Sequence, residues 1–120
     1  MNLTEKQHGT FDYVFGVVVT LSPWLFGFAA DPFAVSLAVL LGGLTLVYSL
    51  LTHYERGIFG LIPFTIHRLL DVAVGIALVG ATWHFGMKDI AGVVFTILGA
   101  ISLVATALTR RPKESGTVAR

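Results

Sequence analysis

Two of the four histidines in this chain stand four residues before an aspartate: His8 before Asp12, and His67 before Asp71. Residues four apart on a helix are neighbours, so each pair sets an imidazole beside a carboxylate. Two imidazoles and two carboxylates suit two kinds of chemistry. They can ligate Zn²⁺ or another transition metal, or they can relay a proton. They can also be purely structural, since an aspartate in the first turns of a helix complements its dipole and a histidine can bond that aspartate and tie down a connecting loop. Arg68, three residues before Asp71, offers a further partner. The reading adopted is a buried polar network of His8, Asp12, His67, Arg68 and Asp71. The same two histidines and two aspartates are the metal candidates, with no metal assigned and no cofactor called for.

The elements that must position these residues are apolar. Hydrophobic residues make up 55% of the 120, and charged residues only 12%, against about a quarter in a soluble domain. Four apolar runs, at 11–30, 32–53, 66–87 and 90–109, each have the roughly 20 residues that cross a hydrocarbon layer of about 30 Å. The expected fold is an all-α membrane protein of four transmembrane helices. The remaining segments are a cytoplasmic N-terminal stretch (1–10), a cytoplasmic or interfacial loop (54–65) and a basic cytoplasmic tail (110–120). The polar start lacks the pattern of a cleaved signal peptide. With no cysteine, neither disulfides nor thiolate chemistry is available.

Four spans put both termini and the middle loop on one side, with Lys6, Arg56, Arg68, Arg110, Arg111, Lys113 and Arg120. That is seven of the eight basic side chains, and only Lys88 lies opposite. Basic loops stay cytoplasmic, so the N- and C-termini are expected inside, in a multi-pass protein of the plasma (inner) membrane. The two outer connections are short. Asp31 before Pro32, and Asp89 before Ile90, read as helix N-caps, with a cation-binding carboxylate pair as the alternative.

Shifting the sequence by 59 places His8, Asp12, Gly16, Trp24, Phe26 and Gly27 on His67, Asp71, Gly75, Trp83, Phe85 and Gly86. Both tryptophans are matched. A shift of 57 places Gly42 on Gly99 and Thr52 on Thr109. The chain therefore reads as an internal duplication, with repeat 1 at 11–53 and repeat 2 at 66–109. Each repeat is a two-helix hairpin, and an even number of spans per copy makes the two parallel rather than inverted. The pseudo-twofold axis then lies along the membrane normal and brings the two His/Asp pairs toward one region.

"TLSPWLFGF", Thr20 to Phe28, puts a proline and a tryptophan inside a helix. Indole suits the boundary between lipid tails and head groups, so Trp24 and Trp83 are expected as interfacial anchors toward the outer face. Pro23 frees the Val19 carbonyl, and Thr20 and Ser22 are placed to satisfy the groups it releases. A bend is expected near Thr20 to Pro23. "SPWLFGF", with its degraded counterpart "ATWHFGM" and the lead-in "HRLLDVAVGIAL" (His67 to Leu78), resembles the SPW repeat family of small bacterial and archaeal membrane proteins. Ser22, Pro23 and Trp24 match its motif, and in the second copy only Trp83 does. The resemblance covers about residues 8 to 109. It implies two membrane helices per repeat and brings no established activity.

Three further features complete the reading. "HYERG", with His53, Glu55 and Arg56, reads as a helix end with Gly57 as its stop, and Glu55 is a candidate partner for Arg68. "IFGLIPF", Ile58 to Phe64, is expected along the inner interface or against the bundle. "TEKQ", Thr4 to Gln7, has capping-box spacing that would start the first helix early. His84 reads as an interfacial, solvated side chain; haem ligation through it is disfavoured, because the other histidines lie on the far side.

Small residues trace stripes on each helix: Gly92, Thr96, Gly99, Ser102 and Thr106; Ser36, Gly42, Gly43 and Ser49; and Gly16 and Gly75. Such stripes allow close helix approach, and homo-oligomerisation is expected from them. The partners named are the lipid bilayer and a second copy, with no nucleic acid. With no phosphate-binding loop and no hydrolytic triad, the function expected is that of a non-enzymatic, self-associating four-helix membrane module. A small proton or cation transporter or channel, and a membrane metal- or cofactor-binding protein using the His-x₃-Asp pairs, are the alternatives.

Overall fold

The computed structural model describes residues 4–52 and 60–109. Among them the chain forms four helices, α1 Glu5–Leu25, α2 Pro32–Leu51, α3 Phe64–His84 and α4 Ile90–Leu108. Three of these, α2 to α4, are long and apolar enough to cross a membrane. The 20 residues of α2 rise about 30 Å. α1 matches them in length, but it opens on the polar run "EKQH" and carries Asp12. His53, Glu55, Arg56, Gly57, the first residues of "IFGLIPF" and the 110–120 tail lie outside the described residues.

The first helix is displaced from its expected span, and each end has a physical cause. Thr4 accepts from the Gln7 N–H at 3.1 Å while the Gln7 side chain accepts from the Thr4 N–H at 2.9 Å. This reciprocal capping box starts the helix at Glu5, so His8 is helical. At the other end Phe26 is the C-cap and Gly27 adopts φ +81°. The Phe28 N–H then reaches back to the Pro23 carbonyl at 2.8 Å, a Schellman closure. α3 ends the same way, on Phe85 and on Gly86 at φ +63°, with the Met87 N–H on the Thr82 carbonyl at 2.9 Å. The repeated Trp-x-Phe-Gly is thus a helix stop. It moves the ends of the first and third helices to Leu25 and His84, and it leaves each tryptophan one residue from its helix end. A side chain at either glycine would meet nothing within 4 Å but would be held at positive φ. Gly86→Ala should therefore cost about 1 kcal/mol, read as a lowered melting midpoint in detergent, with Gly80→Ala, helical and unobstructed, as the control.

The other caps follow the expected pattern. Asp31 accepts from the Phe33 and Ala34 N–H groups at 3.1 and 3.2 Å, and Asp89 accepts from the Gly92 N–H at 3.4 Å. Inside α1 the helix continues through Pro23. The carbonyl that proline deprives of its donor, that of Val19, accepts instead from the Ser22 hydroxyl at 2.7 Å. Thr20 donates to the Gly16 carbonyl at 2.7 Å. Ser22 and Pro23 are buried, whereas Trp24 and Trp83 are exposed, as expected of groups that face lipid. In the Ser-Pro-Trp motif, two residues serve the helix interior and the third its surround.

α1 packs chiefly on α2, and α3 chiefly on α4, with thinner contacts of α1 on α4 and α2 on α3. Close approach within each pair depends on glycine. A Cβ at Gly42 would lie 2.6 Å from the Thr20 nitrogen and 2.8 Å from the Gly16 carbonyl oxygen. One at Gly99 would lie 2.8 Å from the Gly75 carbonyl oxygen. Gly16 and Gly75 in turn face Leu46 and Leu103. The core between the pairs includes Val19, Leu78 and Phe95, all fully buried, and edge-to-face aromatic contacts join Phe28 to Phe95 and Phe33 to Phe85. Of "IFGLIPF", Leu61 is exposed, while Ile62 donates its N–H to the Leu51 carbonyl at 2.8 Å and Phe64 is buried. The described part of this segment therefore folds back onto the bundle.

A closed histidine–aspartate ring

The ring is built near the starts of α1 and α3 and the ends of α2 and α4. His8 and Asp12 lie one turn apart on α1, as His67 and Asp71 do on α3, and all four side chains are buried. The neighbours in sequence are not the tightest pairs. His8 Nε2 lies 2.6 Å from Asp71 Oδ2, and His67 Nε2 lies 2.5 Å from Asp12 Oδ2. The same-helix separations, His8 to Asp12 and His67 to Asp71, are both 3.1 Å. Nitrogen and oxygen alternate around a four-membered ring whose short edges cross between helices and whose long edges run along them.

The outward ring nitrogens are held by two threonines. His8 Nδ1 lies 2.6 Å from Thr109 Oγ1, and His67 Nδ1 lies 2.7 Å from Thr52 Oγ1. Each hydroxyl also contacts the carbonyl one turn back on its own helix, Thr109 to Ala105 at 2.8 Å and Thr52 to Tyr48 at 2.6 Å. Two oxygens that close require a proton between them, and a hydroxyl has one. Each threonine therefore donates to the carbonyl and accepts from an Nδ1–H. That fixes both imidazoles with Nδ1 protonated and Nε2 turned onto the carboxylates. Approaches of 2.5 and 2.6 Å from Nε2 to oxygen then need a bridging proton as well.

The surround is aromatic. The Phe64 ring lies parallel to His67 and edge-on to His8, with centroids 5.7 and 5.6 Å away, and Tyr48 meets His67 edge-on at 4.9 Å. The Tyr48 hydroxyl also donates to Asp71 Oδ1. At a spacing of 57 from Tyr48 stands Ala105, so the two aspartates differ in this respect. Removing that donor by Tyr48→Phe should cost about 1.5–3 kcal/mol, as for a hydrogen bond to a charged group. Chemical denaturation of this variant in detergent reads the loss, and an unchanged midpoint would show that the Tyr48 hydroxyl does not hold Asp71. Arg68 donates to the Thr109 carbonyl at 3.1 Å, which places it beside the ring, on the end of α4. One turn deeper, the buried hydroxyls of Ser49 and Thr106 have no hydrogen-bond partner among the described residues.

His8, Asp12, His67 and Asp71 are thus brought together as the sequence suggested, with Arg68 alongside. Ser22, Pro23, Trp24 and Trp83 lie at the opposite ends of α1 and α3 and take no part. His84, the last residue of α3, is exposed. Sequence reasoning missed Thr52, Thr109 and Tyr48. The signal available for the threonines was their equivalence at a spacing of 57, which reads as a shared helix end until the histidine contacts are seen.

An all-helical chain with three helices fit to cross a membrane and a buried polar ring at one end of the bundle is a membrane protein. Residues 6–109 match the SPW repeat domain, and the chain belongs to that family. No curated protein and no solved structure matches it.

Proposed function

We propose that this protein is a non-enzymatic membrane module in which the histidine–aspartate ring clamps two tandem hairpins together. In this reading α1 also crosses the membrane, the hairpins are parallel repeats, and both termini face the cytoplasm from the plasma membrane. The observation that carries the proposal is the crossed pairing. The shorter carboxylate contact of each histidine goes to the aspartate of the other helix pair, where direct contacts between the pairs are otherwise thin. Seen from the sequence repeat, the paired distances in the ring and the Gly42–Gly16 and Gly99–Gly75 approaches support the duplication.

A conduction path through one bundle finds less support. Val19, Leu78 and Phe95 fill the half away from the ring, and the buried hydroxyls there, Ser22 and Thr82, are tied to carbonyls of their own helices. Self-association keeps a narrower basis than the small-residue stripes suggested. Gly16, Gly42, Gly75 and Gly99 are occupied within the chain, whereas Gly43 and Gly80 have open space beside them.

The absence of native cysteine makes the topology directly testable. Single cysteines replacing Lys88 and Arg111 should react with an impermeant maleimide from opposite sides of sealed vesicles, and labelling of both from one side would refute the arrangement. Light scattering of the detergent-solubilised protein reads the oligomer size, and a single-chain mass would remove self-association from the proposal.

A further inference from the structure

We propose that His8 Nε2, Asp12 Oδ2, His67 Nε2 and Asp71 Oδ2 form a binding site for one divalent transition-metal ion of the Zn²⁺ class. This goes beyond the clamp and does not depend on membrane topology or self-association. Four atoms, one from each side chain, lie within 4.8 Å of one another. Tetrahedral zinc with bonds of about 2.0–2.2 Å sets its ligand atoms about 3.3–3.6 Å apart. The long edges of the ring, at 3.1 Å, are already near that separation, and the short ones reach it by small side-chain rotations.

The donor set has the right chemistry. Two imidazole nitrogens and two carboxylate oxygens suit Zn²⁺, Co²⁺ or a similar ion, and two carboxylates balance its charge in a buried place. The threonines supply an independent argument. A metal-ligating histidine commonly donates its other ring N–H to an outer partner that fixes its tautomer. Thr52 and Thr109 do this for both histidines, leaving each Nε2 facing the ring centre. The two bridging protons occupy the place that one divalent ion would take. The stacked and edge-on rings of Phe64 and Tyr48 supply apolar walls against the imidazoles.

Full-length, tag-free protein in detergent, stripped with chelator and titrated with Co²⁺, tests this. The expected result is the visible d–d bands of tetrahedral Co²⁺, saturating at one ion per chain and bleached by Zn²⁺ but not by Mg²⁺. Thr52→Val with Thr109→Val keeps all four ligands and should weaken binding about 10–100-fold, as loss of outer-shell partners does. His8→Gln with His67→Gln should abolish the bands. A wild-type protein without tetrahedral bands would overturn the proposal, as would His or Thr variants that bind as the wild type does. Should the histidine variant fail to fold, the threonine variant decides. The clamp reading would survive a failure here, because its topology is read by cysteine labelling and its cohesion by unfolding.

Discussion

Replacing His67 with alanine should destabilise the protein by about 3–5 kcal/mol, the range for breaking a buried ion pair by removing one partner. The imidazole serves three groups at once: Asp12 at 2.5 Å, Asp71 at 3.1 Å and Thr52 at 2.7 Å. Its loss leaves carboxylate oxygens buried without that donor, and the penalty for such groups exceeds the net value of the bond itself. The same logic predicts non-additivity. Asp12 and Asp71 converge on the same pair of nitrogens, so Asp12→Asn and Asp71→Asn should be coupled by about 0.5–3 kcal/mol. The measurement is a double-mutant cycle of unfolding in a fixed detergent. Strict additivity, or singles as stable as the wild type, would show that the ring does not hold the two helix pairs together.

Gly42 and Gly43, adjacent in α2, should respond to alanine in opposite directions. At Gly42 the new methyl would strike the backbone of α1, 2.6 Å from the Thr20 nitrogen, whereas at Gly43 it meets nothing within 4 Å. Backbone cannot swing aside as a flexible side chain can. Gly42→Ala should therefore part α1 from α2 at a cost of about 1–3 kcal/mol, typical of overpacking. Gly43→Ala should gain up to about 1 kcal/mol from helix propensity. Gly99→Ala should repeat the loss in α4, where the opposing group is the Gly75 carbonyl oxygen at 2.8 Å. Thermal unfolding of the three variants checks the pattern, and equal shifts for Gly42→Ala and Gly43→Ala would refute the close approach.

Much of this arrangement could be read from the residues, for reasons that are local. Asp31-Pro32, Asp89 and "TEKQ" declare helix starts because capping depends on a few adjacent atoms. The duplicated His-x₃-Asp declares a shared face because helical periodicity needs no tertiary information. The convergence of the two pairs was also legible, once the match at a spacing of 59 suggested that the two helix starts lie at one end of the bundle. What could not be read depended on distance across the bundle. The i,i+4 rule pairs His8 with Asp12, but the shorter bond goes to Asp71, because the helix starts face each other closely enough for exchange. Thr52 and Thr109 look like ordinary helix ends until a histidine arrives from another helix. The stops at Gly27 and Gly86 were visible as matched glycines, but their positive φ comes from a closure involving three other residues, and the apolar run continuing to Ala30 concealed it.

His8 finds its threonine 101 positions further along the chain. As synthesis proceeds from the N-terminus, Asp12 and His8 must wait for His67 and Asp71 of the third helix, and His8 Nδ1 must wait longer still, for the end of the fourth. Contacts of such long sequence separation form late, so the final step of assembly is also the one that fixes the His8 ring. A nascent chain halted before Thr109 would hold the crossed histidine–aspartate pairs but leave His8 Nδ1 without its threonine, a mark by which unfinished copies differ from finished ones.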